Sequence, residues 1–481
     1  MANSEKAKLA KVYLDWILSR PALDYTVSQY TDVHEKNRYQ NVVLDTDYAQ
    51  GLITFNPLKD FMVVELRITM KKDGKSMFYL HFDLNDLDHA KDLFLEMTES
   101  LRKLKTQEKI KVLLCCSSGI TTSFFVEKLN GGVEFLSLNY DFSAVSYNNL
   151  YVRAFDADII LLAPQIGFRQ WRVREILKDK TVLMIPAAIF AQYDVSAMFA
   201  FLEDEKRRRE AEMQKRRTPM ETMEFRSLPS ILVLSVIVEY NMLRIVFRAY
   251  EHGEMLFEDE VIKEKYVLRD LEDMLDIVVK RMPDLHLICV NTPGVIYDGH
   301  LTFRSSNIWN VDVKKRFEAR YGVPFLFQND ANAMALGYYS MQKEVRSLSF
   351  YFHPRAARTA GVGNVVNGQL IVGSHSLAGE MQYVNKVLAY SDDPANLART
   401  PEGVLELVSK YLISIISSLD PQRIVIYCGM VANTVELRRK IAEVIQEEYI
   451  PELVKTDDVL EYMFIGGLVA CSQYLSHKEQ K

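Results

Sequence analysis

In Lys111-Val-Leu-Leu-Cys-Cys-Ser-Ser-Gly-Ile-Thr-Thr-Ser123 a thiol closes a run of apolar, β-prone residues, and small polar residues follow it. The run Phe124 to Leu129 after them reads as helical. The pattern predicts Cys116 on a loop between a strand and a helix. Successive N–H groups of Ser117, Ser118, Gly119, Ile120, Thr121, Thr122 and Ser123 can wrap an anion there, over the positive end of the helix dipole. The same field favours thiolate over thiol, so Cys116 is a candidate nucleophile. An inert cysteine at a strand end is the alternative. It suits Cys115 better, because Cys115 alternates onto the other face.

Two carboxylates stand in comparable places. Val323-Pro-Phe-Leu-Phe-Gln328 reads as a strand that ends in Asn329-Asp330-Ala-Asn332, ahead of the small-residue run Ala331–Leu336. Ligands of α/β sheets sit at such strand ends. Asp330 fits a general base for a sugar hydroxyl, with Asn329 holding other hydroxyls. Either residue also fits a helix N-cap. In Ser376-Leu-Ala-Gly-Glu380 a carboxylate follows a glycine. Glu380 is either a bidentate acceptor for sugar hydroxyls or a loop carboxylate in water.

The elements that must position these groups divide the chain into 1–105, 106–203, a charged linker at 204–227, and 228–481. The first unit reads as α+β: a helix over Lys6–Ser19, strands Gly51–Phe55 and Phe61–Met70, a hairpin turn at Lys72-Asp-Gly-Lys75, a return strand Ser76–Phe82, and a helix Leu87–Leu104 opened by Asp86 or Asn85. It offers no chemistry and no helix-turn-helix, and His34 and His81 are isolated. The second unit alternates strand and helix, which implies a parallel sheet. The run Glu203–Arg217 reads as a solvated helix with i,i+4 ion pairs. Leu287-Ile-Cys-Val-Asn-Thr-Pro-Gly294 is a buried strand ending in a turn.

Composition narrows the classes. The chain has 481 residues, 48% hydrophobic and 25% charged, as in ordinary globular proteins. A net charge of −6 argues against a general nucleic-acid surface. Five cysteines, at 115, 116, 289, 428 and 471, lack metal-ligand spacing and suit a reducing compartment. No stretch approaches the roughly twenty apolar residues that cross a bilayer. The N-terminus has no signal-peptide core, so the cytoplasm is the expected compartment.

Cys116-Ser-Ser-Gly-Ile-Thr-Thr-Ser123 resembles the phosphocysteine loop of enzyme IIB in the lactose/cellobiose branch of the bacterial phosphotransferase system. Phe155-Asp-Ala-Asp-Ile-Ile-Leu-Leu-Ala-Pro-Gln165 is similar to a strand those domains carry about forty residues later, and Val182-Leu-Met-Ile-Pro186 fits the next one. The resemblance spans roughly 109–203. It implies that Cys116 takes a phosphoryl group from a phosphohistidine on a IIA partner, that residues 117–123 hold the phosphate, and that the membrane IIC subunit is another chain.

A second resemblance, to the ROK family of sugar kinases and repressors, covers nearly all of 228–475. It rests on Asn291-Thr-Pro-Gly-Val-Ile-Tyr-Asp-Gly299, Ser306-Asn-Ile-Trp309, Tyr321-Gly-Val-Pro324, Asn329-Asp-Ala-Asn-Ala333, Val366-Asn-Gly368, Ala378-Gly-Glu380, Leu419–Gly429 and Phe464–Ala470. It implies a two-lobed, actin-like α/β fold in which Asn307, Asn329, Asp330 and Glu380 contact sugar, Asp330 as base, and it implies a homodimer. The family's first strand ends in Asp-x-Gly-Gly-Thr, whereas Leu232–Tyr240 contains no glycine. The second phosphate loop is replaced by Pro354–Asn364, where Arg355 and Arg358 could still hold an anion. Tyr383 stands where the family has His, and the Cys-rich zinc loop is absent. Phosphoryl transfer depends on positioning, so the expectation is a sugar or sugar-phosphate binder that no longer uses ATP, with no zinc. Joined to the thiol loop, this reads as a phosphotransferase-linked carbohydrate sensor. An ATP- and Mg-dependent hexose kinase and a ROK-type repressor are the alternatives.

Overall fold

Asp86 starts the helix Leu87–Lys103 as a cap, its carboxylate accepting from the N–H groups of Asp88 and His89. This is one of several local signals the computed structural model bears out. The structure describes residues 2–479 apart from 21–24, 35–36, 59–60, 72–73, 105–108, 118–119, 137, 139, 155–156, 178–179, 217–224, 226, 240–241, 343, 355–359, 399, 430, 432 and 457. A first helix, Ala2–Leu18, precedes strands β1 (Thr26–His34), β2 (Asn37–Asp45), β3 (Ala49–Pro57), β4 (Met62–Met70) and β5 (Ser76–Asp83), paired as an antiparallel meander. Gly74, at φ +67°, supplies the left-handed residue between β4 and β5. Lys72 and Asp73 of that turn lie outside the described residues.

The next segment alternates strand and helix as its pattern predicts: β6 (Ile110–Cys116), helix Ile120–Phe135, β7 (Tyr140–Ser146), β8 (Ile159–Leu162), helix Gln170–Ile176, β9 (Thr181–Met184) and helix Val195–Arg216. The sheet is wholly parallel, in the order β7-β6-β8-β9. Its two faces carry separate apolar clusters, Val112 and Leu114 on one side and Leu113 and Cys115 on the other. The charged run from Glu203 continues the helix Val195–Arg216, with Arg208 paired to Glu205 at 2.6 Å.

Strands β10 (Ile231–Glu239), β11 (Met242–Glu251) and β12 (Glu254–Lys263) form an antiparallel set, followed by the helix Leu268–Arg281 and β13 (Leu287–Thr292). A small three-stranded sheet, β14 (Val295–Tyr297), β15 (His300–Phe303) and β16 (Ile308–Asp312), precedes helix Val313–Tyr321, β17 (Phe325–Asn329) and helix Asp330–Ser340. Strands β10, β13 and β17 are parallel. These elements do not stand apart from residues 1–105. Strand β5 pairs with β12, giving a ten-stranded sheet β1-β2-β3-β4-β5-β12-β11-β10-β13-β17 over one apolar core. At this seam Lys263, 1% exposed, meets Asp270 at 2.6 Å and Glu96 at 2.9 Å. Burial alone would lower the Lys263 pKa, but the two carboxylates outweigh it and hold the ammonium charged.

The remaining strands, β18 (Leu348–His353), β19 (Gly361–Val366), β20 (Gln369–Leu370), β21 (Arg423–Cys428) and β22 (Glu452–Lys455), form a sheet ordered β20-β19-β18-β21-β22, with the helix Pro401–Leu419 before β21. The chain divides into two compact units, Met1–Gln107 with Glu221–Ala333 and Met463–Lys481, and Glu108–Met220 with Met334–Tyr462. Among the described residues no helix is long and apolar enough to cross a membrane.

Candidate functional site

Cys116 is the last residue of β6, at the carboxyl end of a parallel sheet, level with Ser146 of β7. Its neighbour Cys115 is level with Leu162 of β8, and the Cys115 carbonyl accepts from Ala163 N–H at 2.8 Å. The thiol is not on the loop that the sequence pattern predicted. It is fully buried at the end of β6, where the apolar run also ends, and the following helix starts before Phe124. That helix opens at Ile120, so Ile120, Thr121, Thr122 and Ser123 form its first turn rather than a loop. Ser117 connects the two elements and is exposed, while Ser118 and Gly119 lie outside the described residues.

The early start brings hydroxyls onto the sulfur. Thr121 Oγ1 donates to Cys116 Sγ at 3.5 Å, and Thr122 Oγ1 shares a hydrogen bond with it at 3.3 Å. Thr122 is buried, whereas Thr121 and Ser123 are exposed. Sulfur, two hydroxyls and the first-turn amides of a sixteen-residue helix therefore converge. First-turn N–H groups have no intrahelical partner, so they suit an anion. Cys115 points to the opposite face, where burial pushes its thiol up to about 12, which makes it a poor nucleophile.

In the other unit, Asn329 ends β17 and Asp330 begins the helix Asp330–Ser340. The cap and the candidate base are separate residues. Asn329 Oδ1 accepts from Asn332 N–H at 3.2 Å, and its Nδ2 donates to Gly294 O at 3.0 Å. Both ends of the Asn329 side chain are thus used inside the protein. Asp330 is buried, and its Oδ1 accepts from Ala331 N–H at 2.8 Å. Gly294, at φ +106°, takes a backbone conformation that a side chain would strain. Asn307 follows a short 3-10 turn in the left-handed region, φ +55°, and is exposed.

Sequence reasoning missed the polar network beneath these strand ends. Asn291 Nδ2 donates to Ser235 Oγ and to Met463 O, both at 3.0 Å, while Asn291 Oδ1 accepts from Gln328 Nε2 at 2.7 Å. Ser235 and Asn291 are fully buried. Asn291 lay within a quoted motif, but nothing in its spacing foretold partners in three other elements. Asn332 was also passed over. Its Oδ1 is buried and has no hydrogen-bond partner among the described residues. On β10 the side chains of Val236 and Ile237 are buried, and the ladder to β11 runs to Glu239↔Met242. Tyr240 and Asn241 between them lie outside the described residues, as do Arg355 and Arg358.

Glu380 belongs to the second unit. It is half-buried rather than a loop carboxylate in water, and burial raises its pKa, partly offset by Gln382 Nε2 donating to its carboxylate at 2.8 Å. Gly379 before it has φ +87°, and a Cβ there would lie 1.8 Å from Val362 O. Among the described residues no group of three or more His, Cys, Asp or Glu could hold a metal ion.

Comparison with known proteins matches both halves. Residues 111–200 fit the model of the phosphotransferase-system lactose/cellobiose-specific IIB subunit, and residues 249–386 fit that of the ROK family. An uncharacterized protein of Clostridium perfringens is 29% identical over 147 residues, 28% of this chain and 48% of that protein. The chain thus spans about half the length of the curated relative it matches. Similar solved structures include a ROK family protein from Streptococcus pneumoniae in complex with sucrose (18% identity, TM-score 0.41, 52% of this chain and 99% of that one). Another is a ROK family glucokinase from Streptomyces griseus in complex with glucose and AMPPNP (14%, 0.39, 51% and 99%). A third is the lactose-specific IIB component domain of Streptococcus pneumoniae (20%, 0.18, 20% and 96%). The chain therefore carries a domain of the lactose/cellobiose IIB type and a domain of the ROK type.

Proposed function

We propose that this chain is a phosphotransferase-linked carbohydrate sensor, in which Cys116 accepts a phosphoryl group and the ROK-type domain binds a sugar or sugar phosphate without phosphorylating it. The observation that carries the reading is the convergence of Cys116 Sγ, the Thr121 and Thr122 hydroxyls and a helix start. In the transfer, the N–P bond of a phosphohistidine on a IIA-type partner breaks and an S–P bond forms at Cys116. The thiol proton is lost, and the departing imidazole nitrogen gains one. The first-turn N–H groups and the threonine hydroxyls then hold the phosphate oxygens. Because the sulfur is fully buried, the reaction requires that it first become exposed. The phosphoryl group adds about −1.5 to −2 charge, enough to reorder its surroundings. A membrane IIC subunit would be a separate chain, and the expected compartment is the cytoplasm.

What supports a silent nucleotide site is the glycine-free β10, with Val236 and Ile237 buried and Ser235 tied to Asn291. Asn307, Asn329, Asp330 and Glu380 remain the proposed sugar contacts. The proposal is tested by incubating the full chain with phosphorylated IIA of the lactose/cellobiose class and mapping phosphate by peptide. A phosphocysteine adduct that disappears in Cys116→Ser is expected. No adduct with any such partner, or one unchanged by the substitution, overturns it.

One observation favours an active hexose kinase as a second reading. Asn329 does the capping, so Asp330 is not needed for it. ATP turnover with a panel of hexoses, abolished in Asp330→Asn, would establish that reading. Absence of nucleotide binding by calorimetry would end it.

A further inference from the structure

Transfer to Cys116 requires a donor protein to bring its phosphohistidine onto the sulfur, so the surface around that strand end is covered while the bonds exchange. Strand β6 ends there at Cys116, level with Ser146 of β7, and Tyr147 follows. The Arg169 guanidinium lies 4.2 Å from the Tyr147 ring, which brings the segment after β8 to the same end. That segment, the 3-10 turn Pro164–Arg169, runs directly into the helix Gln170–Ile176. Ile166 and Val173 face the core. Phe168 and Trp171, three positions apart and so on one side of the turn, face solvent instead, 70% and 68% exposed. Met184 ends β9 and is 43% exposed. A Cβ on Gly167 would lie 2.6 Å from its sulfur, so it stands beside the same turn. Single apolar side chains in water are ordinary, whereas several gathered at one end of a domain mark a contact surface. Exposed Arg169 and Arg172 flank the group, and among the described residues neither has a carboxylate partner.

We propose that Phe168 and Trp171 anchor the phosphoryl-donor protein, and that Arg169 and Arg172 select a donor whose phosphohistidine is bordered by an apolar patch and by carboxylates. The inference rests on the transfer to Cys116 and goes beyond it by placing the partner on the β8–β9 side of the thiol. Aromatic residues and arginine are the side chains enriched where proteins meet. The buried rings supply affinity, while the two guanidinium groups steer an acidic face toward the thiol end and speed encounter. Phe135 provides the contrast. It is 88% exposed, but it ends the helix that begins beside the sulfur, about 22 Å away along the helix axis, and it lies outside the docking surface.

The test is the initial rate of transfer from phosphorylated IIA of the lactose/cellobiose class to the full-length chain, measured against donor concentration. Alkylation of Cys116 by iodoacetamide, which needs no docking, is followed in parallel. F168S/W171S should raise KM for the donor at least about tenfold, with kcat and alkylation unchanged. R169E/R172E should raise KM at low salt, and its difference from wild type should shrink as salt screens the charges. F135S should match wild type throughout. A wild type that takes no phosphate overturns the carrier reading and this inference together. A wild type that takes phosphate, with F168S/W171S keeping its KM, overturns the docking surface alone. So does an F168S/W171S variant whose alkylation slows with its transfer, because the defect then lies at the sulfur, and so does an F135S variant impaired to the same degree. An unchanged KM in R169E/R172E overturns the acidic partner face.

Discussion

The two candidate sites occupy equivalent places, the carboxyl end of a parallel strand where a helix begins, and they are closed in different ways. At Cys116 the sulfur is buried among hydroxyls at the protein surface. Two hydroxyl–sulfur contacts of 3.3 and 3.5 Å lie beside exposed Ser117, Thr121 and Ser123. Beside the second, at Asn329 and Asp330, the neighbouring strands β10 and β13 are densely packed. Buried Val236 and Ile237 adjoin an amide network that ties Ser235, Asn291, Gln328 and Met463 together. The contacts at the first are hydroxyl–sulfur bonds near water. Opening the second leaves buried polar groups unpaired, at about 1–3 kcal/mol each. The first therefore presents a sulfur among hydroxyls near water, and the second a tied polar core.

The contrast can be broken most forcefully at the network. Asn291→Ala strips partners from Ser235, Met463 O and Gln328 at once and should cost about 3 kcal/mol in urea unfolding. A loss below about 1 kcal/mol would mean that the network does not hold the region closed. Next comes the separation of cap from base. Asn329→Ala should cost about 1–2 kcal/mol through the lost cap and the bond to Gly294 O. Asp330→Asn, nearly isosteric, should change stability by about 0.5 kcal/mol or less while weakening sugar binding in calorimetry. Equal losses would return Asp330 to the scaffold.

The thiol end should be far more tolerant. Thr122→Val keeps the shape and removes one sulfur contact, so stability should shift by less than about 1 kcal/mol, while alkylation of Cys116 by iodoacetamide accelerates several-fold. The smallest effect concerns Glu380. Because burial raises its pKa above the ordinary glutamate value, its carboxylate begins to protonate as pH falls while still above that value. Sugar affinity that depends on the charged form should therefore weaken earlier on acidification than an exposed glutamate would allow. A flat titration down to the ordinary glutamate range would remove Glu380 from the site.

Local signals carried the local structure. The Asp86 cap, the Gly74 turn and the strand ending at Asn329 each depend on residues a few positions apart, which the sequence places side by side. What it concealed was long-range. The pairing of Tyr79 with Ile262 joins residues far apart in the chain, and the Lys263–Glu96 ion pair that accompanies it looks in sequence like two unrelated charges. Strands β1 and β2 lack the clean alternation of β3 and β4, because much of β1 has no core to face. The thiol loop was legible by its residue types but not by its burial. The helix opens at Ile120 rather than Phe124, and that start brings the Thr121 and Thr122 hydroxyls onto the sulfur.

Differential labelling of the five cysteines in the native full-length chain, read peptide by peptide against time, tests the contrast between the two sites most directly. All of them are buried thiols, so static exposure cannot rank them. Cys116, beside exposed Ser117, Thr121 and Ser123, is expected to react first, while Cys115, Cys289, Cys428 and Cys471 wait for global unfolding. A Cys116 that labels no faster than Cys289 would contradict it.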